Sequence, residues 1–126
     1  MGDAKKILVV DDNRTIKMLL EKRLLAEGYA VVTASDGKEG LMAVAREMPD
    51  LILSDVDMPV MDGGEMVSKL KSSIQTSHIP IIFLTSLITK DENARPATGE
   101  SWYISKMAKP AELMVAIRER LALVTK

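Results

Sequence analysis

Three aspartates follow two short apolar runs, and their type and spacing point to chemistry. Asp55 comes after residues 51–54, and the pair Asp11-Asp12 comes after residues 7–10. If both runs are strands of one parallel sheet, their carboxyl ends meet at the same edge. Carboxylates that close repel one another unless a cation lies between them, and oxygen ligands select Mg²⁺ or Ca²⁺, with Mg²⁺ favoured where phosphate is handled. The sequence therefore predicts a divalent-cation site beside Asp55.

Asp55 itself has two interpretations. A carboxylate beside a bound cation can attack phosphorus and form an aspartyl phosphate. Asp55 can equally cap a turn before Pro59, a common role of aspartate. One acid of the Asp11-Asp12 pair can likewise cap a helix that begins near Asn13. Two adjacent acids at a second strand end favour the cation site over the caps.

Phosphate-binding residue types follow two later strands. Thr85 ends the apolar run 81–84, so its hydroxyl either binds a phosphoryl oxygen or caps the next helix. A phosphate site also needs a positive charge, which Lys106 or Lys109 would supply, although a single lysine is more often a solvated surface residue.

Strand and helix patterns alternate along the chain, which predicts an α/β fold with a parallel sheet and helices on both faces. The predicted strands are Ile7–Val10, Ala30–Val32, Leu51–Leu53, Ile79–Leu84 and Trp102–Ile104. Helices are predicted over 15–27, from 36 to 48, from 62 and from 110. Gly28 is expected to close the first helix, and Asp36 with Glu39 to cap the second. The polar segment 89–100 predicts at most a short or irregular helix.

Helical periodicity also predicts which side chains are buried. Leu19 and Leu20 are expected on the buried face of the first helix, and Ile74 on that of the third. The methionines, including Met18, Met42 and Met66, are expected to fill the core.

Composition narrows the function classes. The 126 residues predict one domain, 1–126 with a core of about 5–124, and the chain has no cysteine and a formal charge of -1. These features, with no apolar run near the ~20 residues of a membrane span, favour a cytoplasmic protein. The sequence has no stripe of basic residues, so direct binding to nucleic acid is not expected. The single histidine, His78, is interpreted as a loop residue.

The sequence resembles the receiver domain of two-component response regulators over nearly its whole length. The matching segments are ILVVDDN at 7–13, DLILSDVDMPVMDG at 50–63, IPIIFLTS at 79–86 and GESWYISKMAKPAEL at 99–113. The resemblance implies a flavodoxin-like five-stranded sheet in the order 2-1-3-4-5. It also implies a switch that accepts a phosphoryl group from a histidine kinase or phosphotransfer protein. Such a switch is not a turnover enzyme, because it catalyses only its own phosphorylation and slow dephosphorylation.

The resemblance also assigns roles to residues. It implies Asp55 as phosphoacceptor and metal ligand, Asp12 as a direct Mg²⁺ ligand, and Asp11 as a ligand through water. On the same resemblance, the backbone carbonyl of Asp57 would complete the set of protein ligands. The hydroxyl of Thr85 would bind the phosphoryl group.

Tyr103 is implied as the aromatic residue whose rotation reports phosphorylation. Aligned position by position, the glycine-to-lysine run at 99–106 makes Lys106 the phosphate-binding lysine, with Lys109 as the alternative. Met107 then replaces a proline that the family usually has. The face formed by segment 89–100, the fifth strand and the last helix is implied as the output surface for an unidentified protein target.

Two other functions remain open from the sequence. Asp55-Val56-Asp57 also resembles the aspartate-x-aspartate motif of haloacid-dehalogenase-type phosphatases, which are true enzymes. A receiver that signals without phosphorylation is the other possibility, and the intact set of acids disfavours it. A further hypothesis is that the charge of Asp57 alters the rate of dephosphorylation.

Overall fold

The computed structural model describes residues 4–55, 63–85, 101–105 and 109–124. Its elements in chain order are β1 (Lys6–Val10), α1 (Arg14–Ala26), β2 (Ala30–Ala34), α2 (Gly37–Glu47), β3 (Leu51–Asp55), α3 (Gly63–Lys71), β4 (Ile81–Thr85), β5 (Ser101–Ser105) and α4 (Pro110–Val124). The five strands are all parallel and follow the order β2-β1-β3-β4-β5. The expected fold is confirmed, while the expected irregular helix within 89–100 lies outside the described residues.

The strand register brings the carboxyl ends together at one edge of the sheet. β1 lies between β2 and β3, with Val10 paired to both Ala34 and Ser54. Asp55, the last residue of β3, pairs with Leu84 of β4. Side chains that follow β1 and β3 are therefore neighbours at that edge.

The sheet separates two hydrophobic clusters. The α1/α4 cluster consists of Ile7, Val9, Leu20, Leu24, Leu51, Leu53, Ile82, Leu84, Ile104, Leu113, Met114, Ala116, Ile117 and Leu121. The α2/α3 cluster consists of Leu8, Val10, Ala34, Ala43, Val44, Ile52, Met66, Leu70, Ile79, Ile81 and Phe83. The strands β1, β3 and β4 contribute alternate residues to the two clusters, because successive strand side chains point to opposite faces.

α1 is closed by the predicted glycine, Gly28, but its amino end is capped by Asn13 and not by Asp11 or Asp12. The Asn13 side chain accepts a hydrogen bond from the Ile16 backbone N–H at 3.0 Å, which caps the amino end. Gly28 has a φ of 96°, a left-handed conformation that glycine adopts without the steric cost of a Cβ. Asn13 thus fixes where α1 begins, next to the acidic residues, and Gly28 fixes where it ends.

α2 begins with the predicted cap, and its removal is testable. The Asp36 side chain accepts from the Glu39 backbone N–H at 2.8 Å, while Glu39 Oε1 accepts from the Ser35 backbone N–H at 2.9 Å. Replacing Asp36 with Ala is expected to lower the free energy of unfolding by ~1 kcal/mol, since it leaves a helix-end donor without its partner. Urea denaturation measures this loss. Lys38→Ala, an exposed change in the same turn, is the control, and an equal loss in both variants would contradict the capping role.

Several burial predictions were wrong. Leu19 is 52% exposed and Met18 is 60% exposed, because α1 buries only the narrow stripe that contains Leu20 and Leu24. Ile74 is 92% exposed because α3 ends at Lys71.

The chain beyond α3 turns instead of continuing the helix. There the Thr76 hydroxyl donates to the Leu70 carbonyl at 2.6 Å. Met42 of α2 is also exposed, at 59%, whereas Met66 of α3 is fully buried, as predicted. Within the described residues no helix has both the length and the apolar character required to cross a membrane.

Candidate functional site

The three predicted aspartates lie together at the carboxyl edge of the sheet. One carboxylate oxygen from each of Asp11, Asp12 and Asp55 lies within 4.8 Å of the others. Asp11 and Asp55 are buried, at 1% and 5% exposure, whereas Asp12 is exposed to solvent. We call these three residues the acid cluster. Asp12 is therefore the member of the cluster that faces solvent.

Backbone hydrogen bonds hold the β1 side of the acid cluster. The Asp11 backbone N–H donates to the Ala34 carbonyl at 3.1 Å, which extends the pairing of β1 with β2 by one residue. Asp11 Oδ1 accepts from the Asn13 backbone N–H at 2.8 Å. Because Asn13 in turn caps α1, the turn between β1 and α1 fixes the direction of the Asp11 carboxylate.

The β3 side of the acid cluster is fixed by Asp55 and the residue before it. Ser54 is fully buried, and its hydroxyl donates to the Asp55 backbone carbonyl at 2.8 Å. Sequence reasoning did not assign a role to Ser54. Its signal was a single polar residue in an otherwise apolar run directly before Asp55.

The donor set suits a hard divalent cation. Three carboxylate oxygens in close proximity are the ligands that Mg²⁺ and Ca²⁺ prefer, and Mg²⁺ commonly keeps several waters beside one or two carboxylates. A cation also offsets the repulsion among three negative charges, two of them buried. Asp11, Asp12 and Asp55 therefore fit the predicted metal site.

The structure describes only some of the remaining predicted site residues. Thr85 is the last residue of β4, so its backbone lies at the same edge, one position beyond the residue paired with Asp55. Lys106 and Asp57 lie outside the described residues, and their roles stay predictions. Lys109 is exposed, and its backbone N–H donates to Glu112 Oε1 at 2.8 Å at the start of α4. The structure thus places Lys109 directly before the first residue of α4.

Tyr103 is at the surface and has an aromatic neighbour that the sequence did not reveal. Its side chain is 39% exposed, and its ring stacks on that of Phe83, with centroids 5.3 Å apart and planes at 23°. Phe83 and Tyr103 are paired positions on adjacent strands. Their contact depends on the register between β4 and β5, which the sequence alone does not give.

Sequence comparison matches residues 7–118 to the family described as response regulator receiver domain. The chain is 40% identical over 114 residues to the response regulator PleD of Caulobacter vibrioides, covering 90% of this chain and 25% of PleD. It is 43% identical over 118 residues to the probable transcriptional regulator ycf27 of Cyanophora paradoxa, covering 93% of this chain and 48% of that protein. The chain thus spans less than half of these relatives.

A histidine kinase is also among the relatives. Histidine kinase P4 of Formosa agariphila is 40% identical over 118 residues, which are 91% of this chain and 8% of the kinase. Proteins of three different descriptions therefore contain a segment similar to this chain.

Solved structures show the same fold. The chemotaxis protein CheY4 of Vibrio cholerae has a TM-score of 0.80 at 34% identity, covering 92% of this chain and 98% of that chain. The receiver domain of the sensor histidine kinase PA1611 of Pseudomonas aeruginosa has a TM-score of 0.80 at 30% identity, with coverage of 94% and 98%. That structure is described as having a magnesium ion coordinated in its active site cleft.

Proposed function

Since this chain belongs to the response regulator receiver family, we propose that it is a signalling switch controlled by phosphorylation of Asp55. The observation that carries this proposal is the acid cluster, in which Asp55 shares a carboxyl edge with Asp11 and Asp12. A carboxylate placed there can act as a nucleophile toward phosphorus when its charge is offset. No other trio of acidic or histidine ligand groups this close is found in the described part of the chain.

In the proposed reaction an Asp55 carboxylate oxygen attacks the phosphorus of a phosphohistidine on a histidine kinase or phosphotransfer protein. The oxygen–phosphorus bond forms, the nitrogen–phosphorus bond breaks, and the departing imidazole takes up a proton. Bound Mg²⁺ supplies neutralisation of charge on the transferred oxygens.

The metal and phosphate contacts are proposed residue by residue. Asp12 and Asp55 would hold Mg²⁺ directly, with Asp11 through water and Asp57 through its backbone carbonyl. Thr85 and Lys106 would bind the phosphoryl oxygens, with Lys109 as the alternative to Lys106. The cluster geometry and the magnesium-containing PA1611 relative support the metal ligands among the three clustered acids.

The output of the proposed switch is a change in protein binding. Phosphorylation would alter the face that includes β5 and α4, with Thr85 and Tyr103 as the moving residues. The exposure of Tyr103 supports this assignment. The proposal includes a cytoplasmic location, a histidine kinase or phosphotransfer protein as donor, and no membrane or direct nucleic-acid partner. It limits catalysis to the chain's own phosphorylation and slow dephosphorylation.

Mass spectrometry after incubation with acetyl phosphate and Mg²⁺ tests the proposal. We expect one phosphoryl group on the wild-type chain and none on Asp55→Asn, because the amide is a far weaker nucleophile than the carboxylate. Asp50→Asn, which changes an aspartate at the opposite end of β3, is the matched control and should keep the adduct. Equal adducts on wild type and Asp55→Asn, or none on wild type, would defeat the assignment.

The number of turnovers on a small phosphate ester distinguishes the phosphatase alternative from the proposed switch. A haloacid-dehalogenase-type enzyme would hydrolyse many molecules of a small phosphate ester per protein molecule. The proposed switch would release product only at the slow rate of its own dephosphorylation. If the wild-type chain shows sustained multiple turnovers and Asp55→Asn abolishes them, the chain is a phosphatase and the switch assignment is wrong.

A further inference from the structure

Ser54 places a hydroxyl group inside the apolar layer on one face of the sheet. Strand β3 has the sequence LILSD, and Ser54 within it is 0% exposed. In the strand register Ser54 pairs with Val10 on one side and with Phe83 on the other, and both of these residues belong to the α2/α3 cluster. Paired positions point to the same face of a sheet, so the hydroxyl has apolar neighbours. A hydroxyl in such surroundings is costly unless it makes a hydrogen bond.

The hydroxyl makes that hydrogen bond with the last residue of β3. Ser54 Oγ donates to the Asp55 backbone carbonyl at 2.8 Å. The pairing of β3 with β1 ends at Val10 and Ser54, whereas the pairing with β4 continues to Asp55 and Leu84. The hydrogen bond therefore holds the Asp55 backbone at the point where the pairing with β1 stops. Because the rotamers open to a side chain depend on its backbone angles, this bond also restricts the direction of the Asp55 carboxylate.

The β1 side of the acid cluster is held by different hydrogen bonds. The Asp11 backbone N–H donates to the Ala34 carbonyl, and Asp11 Oδ1 accepts from the Asn13 backbone N–H. Neither of these bonds involves β3. Removal of the Ser54 hydroxyl therefore loosens Asp55 and leaves the turn that carries Asp11 in place.

We propose that Ser54 is a positioning residue, whose hydroxyl sets the direction in which the Asp55 carboxylate attacks phosphorus. This inference rests on the proposed function of Asp55. A nucleophile reacts fast only when it is held close to the geometry of attack, so a small displacement slows the reaction. Mg²⁺ that keeps several of its waters adjusts to a small displacement of one carboxylate. The Ser54 hydroxyl therefore affects the rate of phosphorylation more than the affinity for Mg²⁺.

The substitution Ser54→Ala measures both quantities, because it removes the hydroxyl with little change in volume. Loss of one neutral hydrogen bond corresponds to a change of about three- to tenfold. We expect the initial rate of phosphorylation by acetyl phosphate at saturating Mg²⁺ to fall by this factor, as followed by mass spectrometry at timed intervals. In this reaction the bond from Asp55 to phosphorus forms as the bond to acetate breaks, and acetate leaves with the electron pair. The Mg²⁺ affinity, from isothermal titration calorimetry, should change by less than about twofold.

A second pair of variants separates the hydroxyl from the packing. Ser54→Thr keeps the hydroxyl, and Ser54→Val has nearly the same shape without it. The threonine variant should be phosphorylated about three- to tenfold faster than the valine variant. If these larger side chains prevent folding, as urea denaturation would show, the comparison of wild type with Ser54→Ala decides alone.

Ile52→Val is the matched control for packing. Ile52 is fully buried on the same strand and belongs to the same α2/α3 cluster, so this variant loses a methyl group and keeps the hydrogen bond to Asp55. Its rate of phosphorylation should equal that of wild type. Equal slowing in Ile52→Val and Ser54→Ala would assign the effect to packing and overturn the role of the hydroxyl.

The remaining outcomes separate this role from the function on which it rests. Phosphorylation of Ser54→Ala at the wild-type rate overturns the positioning role alone. A loss of Mg²⁺ affinity as large as the loss of rate also overturns it, because the whole acid cluster would then be disturbed. Absence of phosphorylation in wild type overturns both the positioning role and the proposed function of Asp55.

Discussion

Replacing Asp12 with Asn is expected to weaken Mg²⁺ binding at least about tenfold, which corresponds to about 1.4 kcal/mol. The reason is the loss of one of three carboxylates whose oxygens lie within 4.8 Å of one another. Without Mg²⁺ the same substitution should raise the melting temperature by a few degrees, because it relieves repulsion among these acids. Isothermal titration calorimetry measures the affinity, and thermal unfolding with and without Mg²⁺ measures the stability.

The two halves of this prediction check each other. Mg²⁺ should stabilise the wild-type chain and have little effect on Asp12→Asn, since a ligand that binds only the folded state stabilises it by mass action. Glu21→Gln removes one negative charge from α1 outside the acid cluster and is the control for net charge. Wild-type Mg²⁺ affinity in Asp12→Asn would exclude Asp12 as a ligand.

Leu24→Ala is expected to lower the free energy of unfolding by about 2–5 kcal/mol, and its neighbour Leu25→Ala by under ~0.5 kcal/mol. Leu24 is fully buried in the α1/α4 cluster, so truncation removes apolar contacts and leaves a cavity. Leu25 is 53% exposed, and Leu25→Ala is the same substitution on the same helix. For a chain of this length the Leu24 variant should melt roughly 6–20 °C lower.

Urea denaturation of the two variants measures the difference directly. The comparison holds helix propensity constant, because both changes replace leucine with alanine within α1. Similar losses of stability in the two variants would show that α1 packs through a different face. Loss of phosphorylation is not expected in Leu25→Ala, since Leu25 belongs to neither the acid cluster nor the buried stripe.

The sequence was sufficient to predict the sheet and the acid cluster. Short apolar runs separated by helical patterns define a parallel sheet, and parallel strands place their carboxyl ends at one edge. Asp11, Asp12 and Asp55 could therefore be brought together without knowledge of any distance. Their proximity depends on where two strands end and on β1 lying beside β3, an order that the family resemblance implied.

Other features depend on contacts that periodicity does not contain. A 3.6-residue period did not separate Leu19 from Leu20, because the margin of a buried stripe depends on how closely the neighbouring helix approaches. The early end of α3, which exposes Ile74, involves a hydrogen bond from Thr76 to a carbonyl six residues earlier. The Phe83–Tyr103 contact required the register of two strands far apart in sequence.

The separation of the core into two clusters has a consequence for how such a chain can diverge. The α1/α4 and α2/α3 clusters share no residue, since the sheet lies between them. Changes on opposite faces should therefore have nearly additive effects on stability. One side of the molecule can acquire new docking specificity by substitution while the other side keeps its packing. The edge that carries the three acids is common to both sides and does not share that evolutionary freedom.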